Sequence, residues 1–315
     1  MSHRLWRSVL VLLAVLTLVA AACGGDGDDV GSGDATGTGE TSAGGETSAG
    51  GETAAGDDLL ARIQEEGVIR VSTDPAYPPQ SSLNEESGEY EGFDIDVATE
   101  IADRLGVEIE WQTPSWGAIT SGRWSDRWDM SVGSMTVTEE RAEVLHFSPA
   151  YYYTPASVAV HEDNTSISDV ATDLDGATIG VCGSCSYDFY LQKNLHIQIP
   201  GYDFDYQIDD ADIRTYDTDT TAIRDLSLGD GVRLDAAISA TPTLQGAIDS
   251  GEPIKLVGDP LFYEPLAVAF DRGASLDPTA LVDEVSAIVE EMHADGTLTE
   301  LSMKWYGEDL TQSTV

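Results

Sequence analysis

"WDMSVGSMTVTEERAEVLHFSPAYY", residues 128–152, reads as a short strand, WDMSVGS, then a hydroxyl-rich turn, then the start of a helix at TEERAEVL. A strand that runs through a loop into a helix is the repeating step of an α/β domain. The loop at the strand's C-terminal end is where such domains hold ligands. The residue types in this loop suit a carboxylate. A carboxylate taken out of water must be given oriented donors in exchange. Ser134 and Thr136 offer hydroxyl and backbone donors, and Arg141 adds a planar guanidinium that can meet a carboxylate at two points. The plainer reading of Arg141 is a surface arginine in the first turn of a helix.

The same alternation extends in both directions. Upstream, DDLLARIQEEG (57–67) reads as a helix stopped by Gly67, VIRVSTD (68–74) as a strand, and PAYPPQ (75–80) as a turn-rich loop. FDIDVATEIADRLG (93–106) has apolar residues at helical spacing, VEIEWQ (107–112) is the next strand, and a helix lies near SWGAITSG (115–122). Downstream the pattern repeats with ATIGV (177–181), SYDFYLQKN (186–194), DIRTY (212–216), DTTAIRDLSLGDG (219–231) and LDAAIS (234–239). A helix follows around TPTLQGAIDSG, then IKLVGD, a strand-like PLAVAFDRG, and a long amphipathic helix DPTALVDEVSAIVEEMHADG ending at Gly296. Two α/β units with ligand-capable loops imply a cleft between them.

Within the second unit, GVCGSCSYDFYL (180–191) holds Cys182 and Cys185, two of the chain's three cysteines. Strand, Cys-x-x-Cys and helix in that order fit a thioredoxin-type redox site, a metal site, or a turn that needs small polar residues at a helix start. Two cysteines with no further cysteine or paired histidine do not complete a structural zinc site. The redox reading leaves every other element unused.

The rest of the chain narrows the function classes. Arg4 and Arg7, the apolar run Val9–Ala20 and Ala20-Ala21-Ala22 compose a signal peptide over residues 1–22, so the mature protein is expected to be exported. LVAAAC resembles a bacterial lipobox, although Ala20 stands where a larger aliphatic residue is usual. That likeness implies lipidation of Cys23 and residence at the outer face of the cell membrane; simple cleavage after Ala22 and free secretion is the alternative. Residues 23–57, with the repeat GETSAG, GETSAG, GETAAG, cannot bury enough apolar surface to fold. Such a Gly-rich coil spans about 30 Å and serves as a tether from a membrane anchor. A net charge of −42 over 315 residues argues against a nucleic-acid partner and for a self-repelling, monomeric surface. The five histidines are scattered, there is no EF-hand loop, and no P-loop, nucleophile elbow or dinucleotide fingerprint occurs, so neither metal nor cofactor is expected.

Five stretches fall in an order that carries a resemblance: VIRVSTDPAYPPQ with GEYEGFDIDVATEIADRLG, WDMSVGSMTVTEERAEVLHFSPAYY, LDGATIGVCGS, DTDTTAIRDLSLGDGVRLDAAIS and ADGTLTELSMKWYG. Together they resemble the polar amino-acid type of ABC-transporter solute-binding protein, from about Leu59 to Gly307. The resemblance implies a type II periplasmic-binding-protein fold: two α/β lobes, each a mainly parallel sheet flanked by helices, joined by two hinge crossings. The expected division is 59–156 with 259–315 as lobe 1 and 157–258 as lobe 2. A ligand between the lobes closes them, and the closed protein delivers it to a membrane permease. PAYYYTPA (149–156) is expected to lead into the first crossing, with its tyrosines in packing.

The resemblance also implies site residues. Arg141 grips the ligand α-carboxylate, and Tyr77 and Trp116 wall the pocket with aromatic rings, core packing being the alternative for each. Asp74 is either a pocket acid or the cap of its loop. Gly183, Ser184, Cys185 and Ser186 become candidates for a second jaw of donors, and a Cys182–Cys185 disulfide, expected in an oxidising compartment, stiffens that turn. One position departs from the family. Ala240 stands where an aspartate usually binds the α-ammonium, so Asp219 and Glu264 are the best replacements, with an N-cap role open for Asp219. Asp74, Asp219 and Glu264 together favour a basic amino acid or another zwitterion with a cationic end. A dehydratase-like enzyme using cleft carboxylates as acid and base, and a ligand-sensing subunit of a signalling partner, are the competing classes.

Overall fold

The computed structural model describes residues 58–199 and 202–313. The expected signal peptide, Cys23 and the tether over 23–57 lie outside those residues. In chain order the elements are α1 (Leu59–Glu66), β1 (Val68–Ser72), β2 (Ala76–Tyr77), β3 (Ser81–Leu83), β4 (Tyr90–Glu91), α2 (Phe93–Leu105), β5 (Glu108–Gln112), α3 (Trp116–Thr120) and β6 (Met130–Thr136). Then come α4 (Glu139–Ala142), β7 (Leu145–His161), α5 (Val170–Asp173), β8 (Ala177–Cys182), α6 (Ser186–Leu191), β9 (Ala211–Tyr216) and α7 (Asp219–Leu226). The chain closes with β10 (Ala236–Ala240), α8 (Thr241–Asp249), β11 (Ile254–Asp271), α9 (Thr279–Asp295) and α10 (Thr297–Tyr306).

Eight strands form one ladder in the order β5-β1-β6-β11-β7-β10-β8-β9. The outer triplets β5-β1-β6 and β10-β8-β9 are parallel, as strand–helix alternation requires. Between them β7 and β11 run antiparallel to each other and to their outer neighbours. These two strands, of 17 and 18 residues, are the connections between the two halves. β11 joins into one element what the sequence divides at Gly258-Asp259-Pro260, because the ladder shifts register between Val257 and Phe262 rather than ending there. This architecture is the type II periplasmic-binding-protein fold.

Local signals set the boundaries. α1 is capped by Asp58, whose carboxylate accepts the Leu60 and Ala61 N–H groups, and it ends on Gly67 in the left-handed region. α2 ends likewise at Gly106. The helix predicted at TEERAEVL amounts to the single turn α4, since from Leu145 the chain is recruited into the ladder with β11.

Two main cores flank the central strands. One gathers α1, α2, α9, β1 and β6 around Phe93, Met130, Tyr151 and Tyr152. The other gathers β8, β10 and α6 around Ile179, Tyr190, Ile238 and Phe262. The first core uses β7 as far as Tyr152 and resumes on β11 at Leu266; the second begins at Ala156 and ends at Phe262. Burying apolar area stabilises each by about 25 cal/mol per Å². Glu264, paired in register with Thr154, falls in the junction where neither core claims the side chain. No helix of the described residues is long and apolar enough to cross a membrane.

Candidate ligand-binding cleft

The loops after β1 and β6, together with α3, face the start of α6 and the start of α7 across one cavity. It encloses about 490 Å³ free of protein atoms, part of it open to solvent. Asp74, Tyr77, Trp116, Ser134, Thr136 and Arg141 line it from the first half. Cys185, Ser186 and Asp219 line it from the second, and Glu264 from the junction. Of the candidate second-jaw residues, Gly183 and Ser184 lie outside this wall and line an adjoining depression instead.

Among the described residues, Arg141 is the only basic one in the wall. Its guanidinium donates through Nη1 to the Thr136 carbonyl at 2.9 Å and through Nη2 to the Ser184 carbonyl at 3.0 Å. It lies over the Trp116 ring, 5.1 Å from the centroid, in cation–π geometry. Its buried Nε–H has no partner, and among the described residues it forms no ion pair. Burial pulls its pKa down to about 10, an effect that nearby Glu264 only partly offsets.

Three carboxylates share the wall with it, Asp219 and Glu264 buried and Asp74 half-buried. Asp219 Oδ1 accepts from Ser239 Oγ at 2.6 Å, and burial lifts its pKa to about 7. Glu264 Oε1 accepts from Thr136 Oγ1 at 2.6 Å and from Ser186 Oγ, and burial again raises its pKa. Asp74 is raised by burial and lowered by the Ala76 N–H that it accepts at 2.8 Å. It closes its own loop and also lines the cavity. For Asp219 the capping alternative fails, because Thr218 is the N-cap and Asp219 the first helical residue.

The hydroxyl and N–H donors differ from expectation. Ser134 sits at φ +52, gives its N–H to Tyr151 Oη at 3.0 Å and its hydroxyl to Asp94 Oδ2 at 2.7 Å. Thr136 spends its hydroxyl on Glu264. In the opposing turn, Gly183, Ser184 and Cys185 commit their N–H groups to Tyr216 O, Asp188 Oδ2 and Cys182 O. Ser184 serves instead as an acceptor, since its carbonyl takes both Arg141 Nη2 and Trp116 Nε1, the latter at 3.2 Å. With Thr220 Oγ1 donating to Ala76 O and Thr243 Oγ1 to Gln80 Oε1, these bonds cross the cleft and hold the halves together. Cys182 and Cys185 are joined, with Cα atoms 5.5 Å apart, and both line the cavity.

Two features escaped the sequence. Tyr187 lines the cavity beside Glu264; its place immediately after Ser186 was the available signal. Asp94 lies fully buried behind Ser134, also receives Tyr151 Oη at 2.7 Å, and has its pKa lifted by burial to about 7. Nothing local distinguishes it from the other acids of FDIDVATE.

Two α/β halves joined by paired long strands, with a polar cavity between them and a lone buried arginine in its wall, define an extracytoplasmic solute-binding protein. Residues 69–308 match the bacterial extracellular solute-binding proteins, family 3, and the chain belongs to that family, whose members bind solutes for ABC importers. It is 28% identical over 257 residues to the L-cystine-binding protein TcyJ of Escherichia coli (strain K12), covering 81% of this chain and 89% of that one. Among solved structures it is similar to an ancestral arginine-binding protein bound to arginine, with TM-score 0.64, 28% identity, and coverage of 76% of this chain and 99% of that one. It is also similar to the ancestral amino acid-binding protein AncCDT-1, a precursor of cyclohexadienyl dehydratase, with TM-score 0.66, 27% identity, and coverage of 78% and 99%.

Proposed function

We propose that the cleft captures an amino acid or related zwitterion with a cationic group, and that the two halves close over it as the lobes 59–156 plus 259–315 and 157–258. The observation that carries this reading is the unpaired, buried Arg141 Nε–H facing a wall with three carboxylates. A ligand carboxylate completes the arginine's hydrogen bonding, and cationic groups offset the excess of acids. Relatives named for L-cystine and for arginine fit a ligand with an α-carboxylate and at least one ammonium or guanidinium.

The cleft binds without turnover. Glu264 is anchored by two hydroxyls and Asp219 by one, an arrangement that fixes both carboxyl groups in place to receive a ligand group. The descent of a dehydratase from a similar binding protein keeps the enzyme reading testable, by looking for consumption of each ligand on incubation. The chain acts as a monomer, tethered by a lipid on Cys23, and the Cys182–Cys185 disulfide forms on export. A thermal-shift screen over amino acids, betaines and opine-like compounds tests the main reading, because a ligand raises the melting temperature by mass action. Hits confined to compounds lacking a carboxylate would overturn it.

A further inference from the structure

We propose that the cleft contains a second, redox-controlled site: with the Cys182–Cys185 disulfide reduced, Cys182 Sγ, Cys185 Sγ and a carboxylate oxygen of Asp219 ligate one soft divalent metal ion of the zinc or cadmium class. In the sequence the cysteine pair lacks a third cysteine or a paired histidine. The fold supplies the third donor from 34 residues further along the chain, since one ligand atom from each of the three residues lies within 4.8 Å of the others. All three residues line the same cavity.

The donors stay in place without the disulfide. Gly183 N–H is held by Tyr216 O at 2.9 Å, and Ser184 N–H by Asp188 Oδ2 at 2.9 Å. Cys182 is the last residue of β8 and pairs in register with Tyr216 of β9. Asp219 is buried at the start of α7, with one oxygen fixed by Ser239 Oγ at 2.6 Å. Around a tetrahedral zinc, with Zn–S near 2.3 Å and Zn–O near 2.1 Å, donor atoms stand roughly 3.5–3.8 Å apart. Once the bond of about 2.0 Å is broken, rotation of the cysteine side chains parts the sulfurs by somewhat under about 2 Å and brings the Asp219 oxygen about 1 Å closer. Two thiolates and a carboxylate select a soft or borderline ion over magnesium or calcium. The fourth coordination position opens into the cavity, where water or a ligand amine can occupy it.

The chemistry balances in two steps. A dithiol gives two electrons and two protons to the Cys182–Cys185 bond and leaves as its cyclic disulfide, which frees two thiols. The metal ion then displaces both thiol protons to the solvent and binds the two thiolates beside the Asp219 carboxylate. In the oxidised state the sulfurs are poor ligands and the cleft is reserved for organic solutes.

The test uses the whole mature chain, reduced with a dithiol that is then removed anaerobically, and refolded under reductant if the native disulfide resists. Cadmium is titrated with no amino acid present, and the ultraviolet sulfur-to-cadmium charge-transfer band is followed. The expected result is one cadmium per chain with loss of both titratable thiols, and no band in the oxidised protein. Asp219→Asn should weaken binding about tenfold or more while both thiols remain countable in the metal-free reduced form. Affinity unchanged in Asp219→Asn, a band that survives Cys182→Ser, or one cadmium shared by two chains would each overturn the assignment. Because no amino acid enters the assay, its failure leaves the solute-binding reading standing, and the reverse holds for the thermal-shift screen.

Discussion

Replacing Arg141 by alanine isolates the contact on which the solute-binding reading depends. In the structure the guanidinium is buried, spends one N–H on Thr136 O and another on Ser184 O, and keeps its Nε–H free for an incoming group. Without it, a bound carboxylate would be desolvated beside Asp74, Asp219 and Glu264 with no cation in the wall. Truncating one partner of a buried, hydrogen-bonded charge pair costs about 2–5 kcal/mol. The Ser184 carbonyl also loses a donor from across the cleft, so closure itself is weakened. The dissociation constant should therefore rise about 30- to 5,000-fold, at about 1.4 kcal/mol per factor of ten. Arg141→Lys keeps the charge but not the fork and should fall between the two. Titration calorimetry with the ligand identified by thermal shift measures all three proteins, with circular dichroism confirming that each is folded. An Arg141→Ala affinity within about threefold of the parent would show that the carboxylate lies elsewhere.

Asp94 and Asp219, both lifted to about 7 by burial, bind protons in the folded state that the unfolded chain releases near pH 4. Stability of the ligand-free protein should therefore fall as pH rises from about 4 through about 7. Melting temperatures at pH 5.5 and 7.5 check the sign, and Asp219→Asn should flatten the slope. If a ligand cation pairs with ionised Asp219, affinity rises over the same interval and a proton is released on binding, a response that Asp219→Asn removes. Trp116→Phe keeps an aromatic ring over Arg141 but deletes the indole bond to Ser184 O. It should weaken ligand binding by about 0.5–1.5 kcal/mol, the net worth of one hydrogen bond, with little change in the melting temperature of the free protein. Asp94→Ala removes the shared acceptor of Ser134 Oγ and Tyr151 Oη and should cost about 1–3 kcal/mol in urea unfolding.

The strand–helix rhythm and Gly-terminated helices made the fold legible, because backbone hydrogen bonding and apolar spacing are local properties. Arg141 was legible in the residue types of its loop, and Tyr77 and Trp116 only through the family resemblance; all three line the cavity. Partnerships were not legible. Ser134 and Thr136 carry the chemistry to meet a ligand, yet their hydroxyls go to Asp94 and Glu264, residues 40 and 128 positions away. Donors are consumed by whichever acceptor folding brings near, and only the assembled sheet determines that. The turn at 183–186 shows the same limit. A run of small polar residues at a helix start suggests N–H donors, but neighbours occupy those of Gly183, Ser184 and Cys185, and Ser184 offers its carbonyl instead.

The absence of an acid at Ala240 takes its meaning from the position just before it. Ala240 is buried at the end of β10, where it is the N-cap of α8, and it is not part of the cavity wall. Ser239, one residue earlier, turns its hydroxyl to Asp219 on α7. The strand end thus contributes a hydrogen bond that orients a carboxylate rather than the carboxylate itself. An aspartate at 240 would place a further charge at a fully buried position beside acids already pushed toward protonation, at a cost burial would make large. The serine at the strand end and the carboxylate on the neighbouring helix are therefore two parts of one arrangement. Ser239→Ala tests that link: if Ser239 orients Asp219 for a ligand cation, affinity falls by about the 1.5–3 kcal/mol of a hydrogen bond to a charged group. An unchanged affinity in calorimetry would mean that Asp219 needs no orienting partner, or that the cation binds at Asp74 or Glu264 instead.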